Sequence, residues 1–338
     1  MQNHPFTHQI LSWYAQNRRD LPWRRTKSPY AIWLSEIILQ QTRIQQGTSY
    51  WFKFMEAFPD VESLAAASED DVLRLWQGLG YYSRARNLLT AARQIVALGS
   101  FPNTIESLQK LKGVGEYTAA AIGSFAFDLP VACVDGNVYR ILSRVFGIET
   151  PINTTQGKKE FFAVAQSLVP EKQSADFNQA MMDFGSLQCV PHAPVCDVCP
   201  LQTICEAYRS SRVELLPVKN KLKHIKTRHL IYYYIRCNGK TAIHRRAKGD
   251  IWQGLWELVL VEQLDDLKFS GTITPICNNV KHILTHQRLF ADLYLVETTQ
   301  RPTLPDDYQW VDETALSNFA LPRLIEILLE RLQQHDEL

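Results

Sequence analysis

From Phe6 to about Ala207, apolar residues recur at intervals of three and four, the spacing of one face of a helix. Leu64-Ala65-Ala66, Val72-Leu73-Leu75-Trp76 and Leu88-Leu89-Ala92-Ile95-Val96 are such stripes. Pro59, Gly99, Pro102, Gly147 and Pro170 punctuate the pattern. Ser28-Pro29 reads as an N-cap and first helical residue, opening a helix over Tyr30 to Gln41. A further helix is predicted from Asn137 to Phe146, with Val138, Ile141, Leu142 and Val145 on one side. No convincing strand signal occurs in this stretch. Near residue 209 the pattern changes. His229-Leu230-Ile231-Tyr232-Tyr233-Tyr234-Ile235 is β-branched and aromatic, and Asn238-Gly239 then precedes Thr241-Ala242-Ile243, a hairpin signature. Strands are also predicted over Leu255–Val261, Lys281–Leu284 and Leu289–Val296, and a closing amphipathic helix over Pro322–Leu332. The expected organisation is a helical domain over residues 1–208, a linker over 209–226 and an α+β domain over 227–338.

Composition narrows this picture. Apolar content of 46% and charged content of 21% over 338 residues suit an ordinary globular protein with ample length for two cores. A formal net charge of +1 gives no whole-protein basic field, so any nucleic-acid binding must come from local patches. One such patch is the linker. Residues 209–228 hold seven basic side chains against one acid, Glu214, and read either as a solvated tether or as a strap along a phosphate backbone. Residues Met1–Ile10 lack a signal-peptide core, and no apolar run approaches a membrane span, so a soluble intracellular protein is expected.

Three motifs carry candidate chemistry. Leu111-Lys112-Gly113-Val114-Gly115-Glu116-Tyr117 reads as a helix, a glycine hairpin and a second helix. Gly113 and Gly115 would let the backbone turn tightly and set bare N–H groups against an anion. The second motif is Cys189, Cys196, Cys199 and Cys205, spaced C-x6-C-x2-C-x5-C among prolines. Four thiolates in so short a loop can ligate one tetrahedral zinc or one iron–sulfur cluster. Cys133, Cys237 and Cys277 are scattered and read as ordinary buried residues. The third is a pair of carboxylates. Glu36 falls in the middle of an arc formed by Ile32, Trp33, Ile37 and Leu39, where ionisation is expensive and the pKa should rise. Asp135, just before the Asn137–Phe146 run, reads as an N-cap that stays ionised. Two carboxyls with pKa values pushed apart suit the cleavage of a glycosidic bond.

Together these residues resemble the helix-hairpin-helix DNA glycosylases with an iron–sulfur loop, and within them the MutY family of adenine glycosylases. The resemblance rests on Leu34-Ser35-Glu36 through Leu39-Gln40-Gln41-Thr42, on Gly78-Leu79-Gly80-Tyr81-Tyr82-Ser83-Arg84, on the hairpin, on Val134 to Arg144 and on the four cysteines. It implies a mostly α N-terminal domain with a 4Fe-4S cluster on Cys189, Cys196, Cys199 and Cys205, and a C-terminal domain related to Nudix hydrolases. Trp252-Gln253-Gly254-Leu255-Trp256-Glu257 fits the start of that domain, but the Nudix catalytic helix is missing after it, so no pyrophosphohydrolase activity is expected. The implied reaction is removal of adenine mispaired with 8-oxoguanine or G. Glu36 would protonate the extruded base, Asp135 would stabilise the positive sugar, and Tyr117 and Asn137 would position the sugar, the water and Asp135. Gln41 and Tyr81 look like residues that wedge into the duplex, and Gly113, Gly115 and Thr42 belong to the same DNA-binding set. The family's Phe-Ser-His turn for 8-oxoguanine is here Leu284-Thr285-His286.

The sister family, resembling endonuclease III, carries a Schiff-base lysine where this chain has Tyr117, and a tyrosine cannot form the imine. A monofunctional enzyme is therefore expected. Double-stranded DNA is the implied partner of a monomer with no membrane association, in the cytoplasm and nucleoid of a bacterial cell. The rival readings are an oxidised-pyrimidine glycosylase/lyase, a non-catalytic metal-stabilised DNA-binding protein, and a zinc protein in place of an iron one.

Overall fold

A computed structural model describes residues 4–220, 225–263, 271–284 and 286–337. Two compact units emerge from it, one of Met1–Ala66 with Thr90–Lys221 and one of Ala67–Leu89 with Leu222–Leu338. The segment 67–89, helical in pattern, thus groups with the C-terminal sheet.

Every regular element among the described residues of the first unit is helical. One core is built where Phe6, Ile10, Phe161, Phe177 and Phe184 meet Ile141 and Leu142. A smaller one joins Ile32, Ala120, Ala121, Phe125 and Cys133. The Pro29–Ile38 helix starts where the pattern placed it, because the Ser28 hydroxyl accepts the Ala31 N–H at 3.3 Å. It ends earlier than expected, since the chain turns after Leu39 and Gln41 takes a left-handed φ of 59°. Residues Tyr30–Ile38 are all buried, so the helix has no polar face. The stretch after Arg212 is no free tether at its start. Val218 and Asn220 are bonded to Ile152 and Asn153, at 3.0 Å and 2.9 Å.

The second unit carries a six-stranded mixed sheet of β1 (Lys226–Cys237), β2 (Lys240–Arg245), β3 (Trp256–Val261), β4 (Thr272–Ile283), β5 (Gln287–Thr298) and β6 (Tyr308–Asp312), in the order β4-β5-β1-β3-β2-β6. β1 and β5 are parallel; the other pairs are antiparallel. β1 turns into β2 through Asn238 (φ 52°) and Gly239 (φ 74°), the left-handed pair that a tight hairpin needs. Tyr232 to Ile235 are buried on both faces of the sheet, which explains their continuous apolar run. The Arg323–Asp336 helix covers one face with Leu324, Ile325, Leu328 and Leu332. β4 starts well before the expected Lys281, and bulges between Pro275 and Val280 break its alternation. The short β6 carries no comparable run of apolar residues.

Candidate active site

Glu36, Tyr117, Asp135 and Asn137 line a single cleft of about 290 Å³, with Thr42 also in its wall. That volume is close to the lower bound, roughly 300 Å³, at which small-molecule sites begin. Glu36 is 8% exposed. Burial is the main cause that pushes its carboxyl up to about 7. The neighbouring Tyr117 hydroxyl and the Arg24 guanidinium pull it down, while Asp135 pushes it further up. At neutral pH this side chain can hold or release a proton.

Asp135 caps the Gly136–Phe146 helix. One carboxylate oxygen accepts the N–H groups of Asn137 and Val138, each at 2.9 Å, and the other accepts the Asn137 amide at 2.8 Å. The same helix then anchors that amide. Arg140 donates to the Asn137 side-chain oxygen at 2.8 Å, and to the carbonyls of Gly185 at 2.6 Å and Cys189 at 2.7 Å. Gly185 has a steric reason to be glycine: a Cβ there would come within 2.5 Å of the Asn137 Cβ. Acid, amide and cysteine loop are thus joined by consecutive turns of one helix.

Several cleft residues carried no recognised signal in the sequence, among them Arg19, Trp23, Arg24, Gln179 and Met182. Asp183, fully buried, organises the arginines. It accepts from Arg19 Nε at 2.7 Å and from both Arg24 Nη atoms at 2.7 and 2.8 Å. Burial alone would raise the Asp183 pKa, but the two guanidiniums outweigh it and hold the carboxyl below its ordinary value. Arg24 is therefore neutralised by Asp183 and can sit beside Glu36 without fully ionising it. Gln179 accepts the Tyr14 hydroxyl at 2.8 Å, which leaves its amide N–H groups for other partners. The available signal was a polar series, Asp176, Asn178, Gln179 and Asp183, along the Ser174–Leu187 helix.

Gly113 and Gly115 border a separate groove of about 940 Å³, with Gln40, Lys158 and Lys159; Tyr117 lines both this groove and the cleft. Only Gly113 needs glycine's conformational freedom, at φ 79°. Gly115 is extended, and nothing lies within 4 Å of where its Cβ would be, so the bare backbone faces open space. Gln41 is exposed beside Thr42. Tyr81, half exposed at φ 47°, and His286, exposed in the β4–β5 turn, belong to the second unit, and Thr285 lies outside the described residues.

The four cysteines of the loop line one small hollow with Arg144, Phe184 and Leu201. No three or more His, Cys, Asp or Glu side chains among the described residues are spaced to hold a single metal ion. A multi-iron cluster holds its thiolates farther apart than one ion does, and the shared hollow suits that donor set. Burial, reinforced by the neighbouring cysteines, raises the thiols of Cys196 and Cys205 and pushes Cys199 up to about 11. A cationic centre would reverse that preference. Arg144, 2% exposed, ties the loop down by donating to the carbonyls of Val190 (2.7 Å), Pro191 (2.8 Å), Val213 (2.9 Å) and Leu216 (3.2 Å). Arg144→Met is expected to strand these carbonyls and to destabilise the fold by about 3 kcal/mol. Thermal or denaturant unfolding checks this. Arg144→Lys should recover little, because one ammonium cannot span four acceptors.

Comparisons with known proteins fit this geometry. Residues 34–170 match the model of the HhH-GPD superfamily of base excision DNA repair proteins, and residues 231–331 match that of the NUDIX domain. The chain is 36% identical to an adenine DNA glycosylase of Buchnera aphidicola subsp. Acyrthosiphon pisum, covering 99% of both chains. It is 44% identical over 215 residues to the mouse adenine DNA glycosylase, where the match takes in 60% of this chain and 42% of the mouse protein. The chain thus spans less than half the length of that mammalian relative. Among solved structures, a thermostable thymine-DNA glycosylase is 31% identical with a TM-score of 0.57, covering 61% of this chain and 96% of that one. Endonuclease III bound to DNA, at 20% identity and a TM-score of 0.54, covers 61% of this chain and 95% of that one, and shares the fold.

Proposed function

The chain belongs to the adenine DNA glycosylase family, and from that premise we propose that it is a monofunctional adenine glycosylase acting on A opposite 8-oxoguanine or G in double-stranded DNA. The observation that carries the reading is a carboxyl poised at about 7, Glu36, in the same cleft as the helix-capping Asp135. An adenine turned out of the stack enters the cleft. Glu36 donates its proton to a ring nitrogen, and the electrons of the breaking N-glycosidic bond leave with a neutral base. The sugar becomes oxocarbenium-like, and Asp135, fixed by two backbone N–H groups and Asn137, stabilises the positive charge. Water then adds to the sugar and gives its proton to the now ionised Glu36, leaving an abasic site. Tyr117, whose hydroxyl donates to Met182 Sδ at 3.9 Å, lines the cleft beside Glu36 and positions the sugar.

The cleft holds one lysine, Lys27, whose ammonium is bonded to the Phe125 carbonyl at 3.1 Å and to Asp128 at 3.3 Å. At the hairpin exit stands Tyr117, which has no amine to form an imine, and among the described residues Lys27 is the one lysine lining the cleft. Borohydride added during turnover is therefore expected to trap no covalent protein–DNA adduct. Strong trapping would favour the oxidised-pyrimidine glycosylase/lyase reading. Base release from duplexes carrying A, T or oxidised pyrimidines opposite G or 8-oxoguanine tests the substrate directly. Free adenine should be the product, and release of a pyrimidine alone would overturn the proposal.

Cys189, Cys196, Cys199 and Cys205 hold a 4Fe-4S cluster in this reading, supported by their shared hollow and by thiols that burial disfavours as bare thiolates. When bound, the cluster supplies the positive charge and cross-linking that order the loop. Arg140 and Arg144 carry that order to Asn137 and the helix of Asp135. Cys199→Ser is expected to lose the brown colour and the bound iron. Stoichiometric zinc in a colourless protein would contradict the assignment. Gly113 and Gly115 present backbone N–H groups to a DNA phosphate, and Gln41, Tyr81 and His286 contact the duplex around the extruded base.

A further inference from the structure

The Trp252–Leu255 turn lies within residues 231–331, which match the NUDIX domain, but adenine excision gives it no role. Within the second unit this turn meets the segment 67–89 closely. Arg86 Nη1 donates to the Gln253 carbonyl. Arg245 Nε donates to the Gly254 carbonyl at 3.0 Å, while its Nη2 reaches Glu69 at 3.1 Å and Asp70 at 3.0 Å. A Cβ on Gly254, whose φ is 79°, would lie 3.3 Å from Glu69 Oε1 and 3.4 Å from Arg86 Nη1. The turn is thus met by the ends of the Glu69 and Arg86 side chains. Farther along, the Tyr82 hydroxyl donates to the Leu321 carbonyl at 3.3 Å, and the Gln77 amide bonds to Glu326. Arg245 and the turn thus hold the two ends of the segment, at Glu69, Asp70 and Arg86, while Glu326 and Leu321 hold its middle.

Between those anchors lies a tightly wound loop. Gly78 (φ 94°), Gly80 (φ 68°) and Tyr81 (φ 47°) are all left-handed. For Tyr81 that conformation is strained, and it persists only where the surroundings enforce it. Trp76 Nε1 donates to the Gly80 carbonyl at 3.0 Å, and Arg84 bonds the carbonyls of Leu79 and Gly80 while its guanidinium lies over the rings of Trp76 and Tyr81. The result is a half-exposed tyrosine on a braced loop.

We infer that the Trp252–Leu255 turn is a socket that holds the segment 67–89 and so fixes the direction in which Tyr81 projects. The inference rests on the reading of Tyr81 as a wedge in the duplex, and it makes Arg86 and Arg245 positioning residues. The C-terminal unit would then contribute to excision by aiming a side chain, in addition to any contact of its own with the opposite base.

The test compares the full-length, iron-loaded protein with Arg86→Met/Arg245→Met, which keeps the apolar stems and removes the hydrogen bonds. Amide hydrogen exchange over 78–84 should quicken by about tenfold or more, the scale set by losing charged hydrogen bonds to a carbonyl. In single-turnover excision, Tyr81→Ala should slow the wild type but add little in the socket variant, because a misaimed wedge has little left to lose. Glu69→Gln/Asp70→Asn, at exposed positions, provides a milder version should the first variant not fold. Unchanged exchange at 78–84, or effects of Tyr81→Ala that simply add, would overturn the inference. If the wild type releases no base at all, the functional reading fails instead, and the exchange comparison still decides on the socket.

Discussion

Glu36→Gln is expected to reduce single-turnover adenine release by roughly 10²–10⁴-fold, the usual worth of a positioned general acid, while leaving DNA affinity within a few-fold of wild type. Glutamine keeps the volume, but it has no acidic proton to give. The same substitution should stabilise the fold at alkaline pH. Glu36 is held at about 7 in the native state against an ordinary 4.5. Between those values the unfolded chain has lost the proton that the native state keeps. Wild-type stability therefore falls as pH rises through that window and levels off above it, by up to about 3 kcal/mol. Glutamine does not titrate, so the variant should gain nothing near pH 4 and most at pH 8. Denaturant unfolding at the two pH values reads the difference. Equal stabilities at pH 8 would show that the carboxyl carries no burial cost.

Asp135→Asn should lower excision about as severely, by roughly 10²–10³-fold or more, the scale for removing one fixed electrostatic stabiliser of a transition state. Asparagine remains a good N-cap, so the Gly136–Phe146 helix should keep its stability. Asp135→Ala separates the two roles, since it loses both the charge and the cap, at about 1 kcal/mol. Single-turnover excision together with thermal unfolding of both variants checks this. A catalytic loss in Ala without one in Asn would make Asp135 a cap only.

What could be read along the chain was local. The Ser28 and Asp135 caps, the Asn238-Gly239 turn and the glycine hairpin each depend on residues within four positions of one another. Burial of Glu36 was legible from its apolar neighbours, although the helix is enclosed on all sides. The arginines of the cleft were not legible. Arg19 and Asp183 lie 164 positions apart and Arg24 and Asp183 lie 159 apart, so nothing nearby marks them as partners. The same distance hid the grouping of 67–89 with the C-terminal sheet, because an amphipathic stripe does not name the surface that covers it. β4 escaped its full length because bulges shift which residues face the core.

The pH dependence of single-turnover adenine release from an A:8-oxoguanine duplex probes the proton on Glu36 most directly. The rate should be level below pH 6.5 and fall above about 7, by about tenfold per pH unit, as the carboxyl ionises; in Glu36→Gln the small residual rate should be flat. A wild-type rate that climbs from pH 6 to 8, or one with the same profile as the glutamine variant, would contradict a protonated Glu36 as the acid that releases the base.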